Sequence, residues 1–412
     1  MLGGVPSGAR KGLSDPLRFS RGAAHNLGVT ETLTAEAELH WLALTMTPGL
    51  GTRTASQLME RYKTPEAVFR ASSSELEGFG LSGSIARSIA GGCSFDDAVD
   101  QQHKARELGV AVIALADSRY PPRLREIYDP PAVLFARGRT ELLQSPMLGV
   151  VGTRRPTQYG IAVAEKLSGD LALAGITIAS GMARGIDTAA HRSARAVGGN
   201  TIAVFGCGVD LVYPTENRKL AAELVEKGLL LSEFPLGSPA YPQNFPIRNR
   251  IISGMSAGVL VVEGAQYSGS AITARLALDQ QREVFAVPGS ILSKMSWGPN
   301  LLIKQGAKLV QDWNDVIEEL PEAVRRELAH RGRERLLPGI EEDGQTGEVS
   351  PELSKASRDL LRQLQVDRPT HMDQLLESME GYSSSEIIAT LFDLEMAGVI
   401  KQLPGRTFVK VW

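Results

Sequence analysis

The residues best suited to chemistry in this chain are arginines set beside glycines and one aromatic ring. Gly152-Thr153-Arg154-Arg155-Pro156-Thr157 places two guanidinium groups in a turn. Phe245-Pro246-Ile247-Arg248-Asn249-Arg250-Ile251-Ile252-Ser253-Gly254 places two more, with an amide, behind a ring. A guanidinium clamps phosphate through parallel N–H bonds, and a Phe ring stacks on an unpaired base. Three further Gly-containing segments accompany them: Ser180-Gly181-Met182-Ala183-Arg184-Gly185-Ile186-Asp187, Gly206-Cys207-Gly208-Val209-Asp210 and Glu263-Gly264-Ala265-Gln266-Tyr267-Ser268-Gly269-Ser270. Glycine lets backbone amides approach a ligand closely, and a helix beginning there favours an anion. One or two such loops are ordinary tight turns of an α/β protein; several with adjacent Arg point to an anion-binding crevice. The Phe–Arg segment taken alone has an equally good structural explanation, a helix N-terminus carrying salt bridges.

Other chemistries are weaker. No Gly-x-Gly-x-x-Gly fingerprint follows the first strand of the central region, and no Gly-x-x-x-x-Gly-Lys-Ser/Thr loop occurs, which counts against NAD dependence and ordinary ATPase activity. His191 lies one helical turn after Asp187; a catalytic pair is open, but a structural pair bracing the loop is favoured because no nucleophile is attached. Glu263 ends a strand beside a Gly/Ser loop and is read as hydrogen-bonding rather than as a general base. Cys207, between two glycines, is read as a buried thiol, there being no His or Asp partner nearby in sequence. With only Cys93 beside it, there is no disulfide framework and no Cys-x-x-Cys metal site, and both thiols fit a reducing compartment. The expectation is a protein without catalytic residues, metal or cofactor.

Positioning these loops requires the strand–helix alternation that runs from Met147 to about Leu320. Apolar runs at Leu148–Val151, Thr177–Ala179, Thr201–Phe205, Leu229–Ser232, Gly258–Val262, Val284–Val287 and Lys308–Val310 alternate with helical patterns such as Ile161–Ala174, Thr188–Val197, Asn217–Lys227 and Ile272–Gln281. Continuously apolar strands are buried on both faces. Their alternation with helices predicts an α/β, Rossmann-like, doubly wound and mostly parallel sheet, with ligands beyond the carboxyl ends of the strands.

Around this core the chain divides into a leader at residues 1–33, Gly-, Arg- and Ser-rich and expected to be disordered, and a helical region at 34–92. A connector follows at 93–146, then the Rossmann-like region at 147–320, a charged linker at 321–350 and a last small region at 351–412. In the helical region, Pro48-Gly49-Leu50-Gly51 and Gly78-Phe79-Gly80-Leu81 resemble the turns of a SAM or helix-hairpin-helix module. There, helix N-terminal amides would face a phosphate, or the glycines would simply satisfy the turn. The last region, with three helical patterns and two strand patterns around Pro404-Gly405, reads as winged-helix-like. Its third helix, Ser384–Met396, carries Glu386, Asp393 and Glu395 and no basic residue, favouring contact with protein over duplex reading, although Lys401, Arg406 and Lys410 leave room for a basic wing.

Bulk numbers set limits. The 412 residues are 43% hydrophobic and 22% charged, enough for a sizeable core. The net charge of -3 argues mildly against a dedicated nucleic-acid binder, so any such grip must come from a local patch. No apolar run suits a membrane span, and the leader has no apolar stretch of the secretory kind, so a cytoplasmic location is expected.

The order of Val151-Gly152-Thr153-Arg154, Ser180–Asp187 with His191, Tyr213-Pro214 with Asn217, Ser232-Glu233-Phe234-Pro235, Phe245–Gly254 and Ser268-Gly269-Ser270 with Thr273 resembles the signature of the DNA-processing protein A family, DprA/Smf. The likeness covers nearly all of Met147–Leu320, and the flanking regions match the layout of longer members. It implies a protein that binds and protects incoming single-stranded DNA, helps load the RecA recombinase during natural transformation, and forms a homodimer through the Rossmann-like domain. By the same resemblance Arg154 would hold phosphate with Gly152 and Thr153, Phe245 would meet a base, and Arg248, Asn249 and Arg250 would line the same pocket. Gly181, Ser268, Gly269 and Ser270 would add backbone and hydroxyl contacts. Thr153 stands where the family usually has Ser, which keeps a hydroxyl. The alternative is a nucleotide-processing Rossmann enzyme of the phosphoribohydrolase type, against which stands the absence of a Glu in the helix turn after Ser268-Gly269-Ser270.

Overall fold

The computed structural model describes residues 33–266, 268–328, 355–365, 369–379, 381–396, 399–403 and 406–410. The expected leader up to residue 32, most of the linker, Tyr267 and the wing turn Pro404-Gly405 lie outside the described residues. The chain divides into two units, Met1–Leu134 and Phe135–Trp412.

In the first unit, helices begin where a hydroxyl can satisfy an orphan N–H. Thr34 caps α1 (Ala35–Met46), Gly51 precedes α2 (Thr52–Tyr62), and Thr64 with Pro65 opens α3 (Pro65–Arg70). Ser72 caps α4 (Ser73–Gly78) and Ser82 caps α5 (Gly83–Ala90). Gly49 adopts φ 78° in the turn between α1 and α2, so a left-handed residue is needed there whatever else the turn does. α6 (Phe95–Glu107) packs on α1, Phe95 lying against Phe69 and His40, which places the start of the expected connector with the helices of this unit. A short strand β1 (Ala111–Ala114) and one turn of helix α7 (Pro122–Arg125) follow.

The rest of the expected connector leads into the second unit. β2 (Val133–Gly138) pairs antiparallel with β6 (Leu229–Ser232), Phe135 opposite Ser232. β3 (Met147–Val151), β4 (Thr177–Ser180), β5 (Thr201–Val204) and β6 pair in parallel, and β7 (Gly258–Val261), β8 (Glu283–Ala286) and β9 (Lys308–Leu309) extend the sheet in parallel from the other side of β3. Within this unit the order is β2-β6-β5-β4-β3-β7-β8-β9, a mostly parallel doubly wound sheet that reverses direction at β3 and β7.

The connecting helices are α8 (Gln158–Leu173), α9 (Ile186–Ala196), α10 (Arg218–Lys227), α11 (Asn244–Met255), α12 (Gly269–Asp279), α13 (Trp297–Lys304) and α14 (Asn314–Glu319). α8 packs on α9 and α11 on α12. Leu148, Val150, Leu167, Leu171, Ile178, Ile186, Leu260 and Phe285 are among the buried residues of one cluster. Each such side chain contributes roughly 1.5–3 kcal/mol by leaving water.

The C-terminal part comprises α15 (Lys355–Gln363), β10 (Thr370–His371), α16 (Met372–Ser378), α17 (Ser384–Met396), β11 (Ile400–Leu403) and β12 (Thr407–Lys410). The strands form an antiparallel sheet ordered β10-β12-β11, over a core that includes Leu360, Leu375, Ile387, Leu391 and Phe408. This is a winged-helix arrangement; β10 is the element that its two residues were too short to announce. Among the described residues no helix is long and apolar enough to cross a membrane.

Candidate nucleic-acid interface

The loop after β3 is held from three directions. The Thr153 N–H donates to the Glu263 carbonyl at 2.8 Å, its own carbonyl accepts from the Ile186 N–H at 3.3 Å, and its hydroxyl accepts from the Arg155 N–H at 3.2 Å. Gly152 has no room for more than hydrogen, since a Cβ would sit 2.4 Å from Ile186. Glu263, buried at the end of β7, takes the Thr157 hydroxyl at 2.6 Å and the Thr157 N–H at 2.9 Å. Thr157 in turn caps α8. A carboxylate therefore fills the point where the sheet reverses. It also fixes the turn from which Arg154 and Arg155 project, both exposed.

The loop after β4 is fixed by Asp187 at the start of α9, whose Oδ2 accepts from the N–H groups of Gly181 at 3.1 Å and Ala183 at 3.3 Å. Between them Met182 is left-handed at φ 58°, a conformation that costs a residue with a side chain about 1 kcal/mol or more and persists only because its surroundings hold it. Asn217 supplies that hold, donating from Nδ2 to the Met182 carbonyl at 2.9 Å and to the Thr188 hydroxyl at 2.8 Å. The third wall comes from Tyr213-Pro214 and the fourth from Phe245 near the start of α11. Gly206 lies close under that ring, where a Cβ would come within 3.0 Å of it.

These walls enclose a cavity of about 270 Å³ lined by Arg154, Arg155, Gly181, Ala183, Arg184, Tyr213, Pro214 and Phe245. The Arg154 guanidinium lies 5.2 Å from the Phe245 ring centre, and the Tyr213 and Phe245 rings are 5.5 Å apart, tilted by 37°. Aromatic faces beside exposed cations suit a planar base joined to a phosphate. The volume sits just below the roughly 300–1,000 Å³ of small-molecule pockets.

Not every expected site residue reaches this cavity. Arg154, Gly181 and Phe245 do; Gly152 and Thr153 shape the loop beneath it. Arg248 is buried, with 3% exposure, and donates from Nη1 to the Val204 carbonyl at 2.5 Å. Its guanidinium occupies the space beside Gly181, where a Cβ would come within 2.1 Å of Nη1. Arg250 is likewise buried and bonds Glu233 at 2.6 Å. Asn249 is half-buried and is not among the lining residues. The Arg residues of α11 brace the core, and of the expected residues on that helix only Phe245 lines the cavity.

Ser268 precedes α12 and shares a 2.7 Å hydrogen bond with Ser270. With Gly269 they follow β7, across the reversal point that Glu263 fills, and none lines the cavity. The residues that sequence reading missed are Arg155, Ala183, Arg184, Tyr213 and Pro214. Arg155 and Arg184 stood in the quoted loops. Tyr213-Pro214 stood in the family signature, and Asn217, docked on Met182, holds the chain beside the cavity there.

Buried titratable groups behind the cavity are structural in their contacts. Burial pushes the Asp187 carboxyl up to about 6, against the opposing pull of Arg248, the two loop N–H groups and Arg154. Burial lowers Arg248 to about 10. His191 is lowered to about 3 by burial and by Arg248, and shares a 2.6 Å hydrogen bond through Nδ1 with the Thr201 hydroxyl. Because that hydroxyl donates to the Ile178 carbonyl, Nδ1 carries the imidazole proton. Asp187 and His191 thus serve different partners, the first bracing the loop, the second tying α9 to β5. Burial and Asp210 push the Cys207 thiol up to about 11. Among the described residues no group of His, Cys, Asp or Glu is gathered to hold a metal.

Comparison with known proteins gives one consistent answer. The sequence model described as "DNA recombination-mediator protein A" matches residues 111–321, and that of the "DprA winged helix domain" matches residues 345–406. "DNA processing protein DprA" of Bacillus subtilis (strain 168) is 47% identical over 53% of this chain and 73% of its own length. "Protein Smf" of Synechocystis sp. is 33% identical over 90% of this chain and 98% of its own. Among solved structures, the X-ray structure of DNA processing protein A from Streptococcus pneumoniae superposes with a TM-score of 0.61 at 34% identity, covering 69% of this chain and 98% of that one.

Proposed function

The chain belongs to the DNA recombination-mediator protein A family, and from that premise we propose that its second unit grips single-stranded DNA without acting on it chemically. One observation carries the reading: Arg154 and Arg155 stand exposed at a cavity whose walls include the Phe245 and Tyr213 rings. A single strand offers both things such a cavity recognises, a phosphate and a base free to leave its neighbours. A duplex keeps its bases stacked and offers only the phosphate.

Binding is favoured over catalysis because each group that might serve chemistry is already engaged. Glu263 is bound to Thr157, His191 to Thr201, and the raised Cys207 thiol stays protonated at neutral pH. The family resemblance adds the wider role. On this reading the protein works in the cytoplasm as a homodimer built on the Rossmann-like regions, protects incoming single strands during natural transformation and passes them to RecA. The acidic α17 serves a protein contact.

Fluorescence anisotropy with labelled oligo(dT) and with a duplex of equal length tests the core of this reading. Tighter binding of the single strand, lost in R154A and F245A, supports it; equal binding of both DNAs, or full binding by both variants, refutes it.

A further inference from the structure

Arg184 lines the cavity at its exposed rim and is hydrogen-bonded there to the Glu216 carboxylate. The pair is set by buried groups on both sides. Arg184 belongs to the loop whose N–H groups Asp187 gathers. Glu216 lies between Pro214, which lines the same cavity, and Asn217, which is buried and bonded to the Met182 carbonyl of the Arg184 loop. The one-turn helix Thr215–Asn217 is thus docked by its last residue onto the segment that carries the arginine. The two ionised ends remain in water, with side chains 62% and 57% exposed, so an incoming anion can reach them. The backbone and Arg184 hold the Glu216 carboxyl below its usual range, so it is charged at neutral pH.

We propose that Glu216 is a built-in competitor for Arg184: in the free protein it occupies the guanidinium, and a DNA phosphate at the cavity rim displaces it. This rests on the reading of the cavity as a single-strand site and adds to it a phosphate contact and its counterweight. Exposed ion pairs are weak, so exchanging one carboxylate for one phosphate costs little. The exchange sets how tightly the rim holds DNA. With Glu216 released on binding, the protein takes up a cation from solution, which offsets part of the counterion release from the strand. It therefore makes the grip weaker and less salt-dependent than three free arginines would.

The test is a double-mutant cycle in the full chain, measuring binding of labelled oligo(dT) across a salt series for the parent, E216Q, R184A and R184A/E216Q. E216Q is expected to bind roughly two- to five-fold tighter than the parent, the range an exposed ion pair spans, with a steeper dependence on salt. R184A is expected to bind more weakly, with a log–log salt slope shallower by less than the ~0.7 of one phosphate contact on a single strand, because the cation uptake at Glu216 is lost with it. In the R184A background E216Q is expected to have no further effect, because the competitor then has nothing to compete for. Unchanged or weaker binding by E216Q, or the same gain with Arg184 absent, overturns the proposal. A parent that binds oligo(dT) but loses nothing in R154A would defeat the cavity reading itself, a different result from a flat E216Q response. Both side chains are exposed, and thermal melting of each variant confirms that the fold is retained.

Discussion

The guanidinium of Arg154 stands 5.2 Å from the centre of the Phe245 ring, although 91 residues separate them in the chain. A cation over an aromatic face stiffens both groups before any ligand arrives. Phe245 is expected to supply a stacking surface for one base, worth roughly 1–3 kcal/mol. F245A should therefore weaken oligo(dT) binding by about ten- to a hundred-fold. F245W should retain most of it. Anisotropy titrations of the two variants check this; equal losses in both would show that ring stacking is not what Phe245 contributes.

The arginines of α11 should behave quite differently from those of the β3 loop. Arg250 and Glu233 form a buried pair, and removing one partner of such a pair typically costs about 3–5 kcal/mol. R250A is expected to lower the urea midpoint sharply. R155A, exposed, should leave stability within about 0.5 kcal/mol of the parent while weakening DNA binding. Urea melts beside binding curves separate the two effects, and a stable R250A that has lost only DNA binding would return that residue to the cavity.

Two buried groups give opposite pH trends. Asp187 is raised from 3.8 to about 6, so its contribution is fully present below 3.8 and is lost as pH rises through about 6. His191 is lowered from 6.5 to about 3, so its contribution is present above 6.5 and is lost as pH falls towards 3. Relative to the parent, D187N should gain about 2 kcal/mol between pH 4 and pH 7. H191Q should gain about 3 kcal/mol on the parent as pH falls from 6.5 to 4. Stability measured at several pH values tests each sign; differences that stay flat with pH would show that neither group titrates as its surroundings require.

Glu263 should act through the Arg154 loop rather than on DNA. E263A leaves Thr157 without its acceptor at the start of α8 and opens a hollow beside Gly160, where the carboxylate now lies. A loss of about 1–3 kcal/mol in stability is expected. Faster amide exchange should appear at residues 153–157 and weaker DNA binding should accompany it. E263Q, which keeps an acceptor for one of the two bonds, should recover part of each. Full binding by E263A would mean that the loop is set by something else.

Much of the fold is legible because its signals are local. Leu229-Leu230-Leu231 is apolar at every position and reads as a strand buried on both faces, and the Thr and Ser caps of the first unit mark helix starts directly. The placement of β2 was not legible, because its partner β6 lies far along the chain and an antiparallel edge has no strand–helix–strand rhythm. The site divides the same way. Arg154 and Phe245 declare themselves by type, but Arg248 and Arg250 carry the same chemistry and differ only in which side of α11 the core takes up. Ser268-Gly269-Ser270 looks like an anion loop, and it follows β7 rather than lining the cavity beside β3, β4 and β5. Only three-dimensional placement shows that Glu263 closes the reversal point and leaves the cavity on the side of β3, β4 and β5.

The central claim is that a local cavity, in a chain of net charge -3, prefers single-stranded DNA. The most direct measurement is the affinity of the parent and of R154A for oligo(dT) and for a duplex of equal length at one salt concentration. The account predicts that the parent prefers the single strand and that R154A loses more of its single-strand affinity than of its duplex affinity, narrowing that preference. Equal affinity of the parent for both DNAs, or an undiminished preference in R154A, would contradict it.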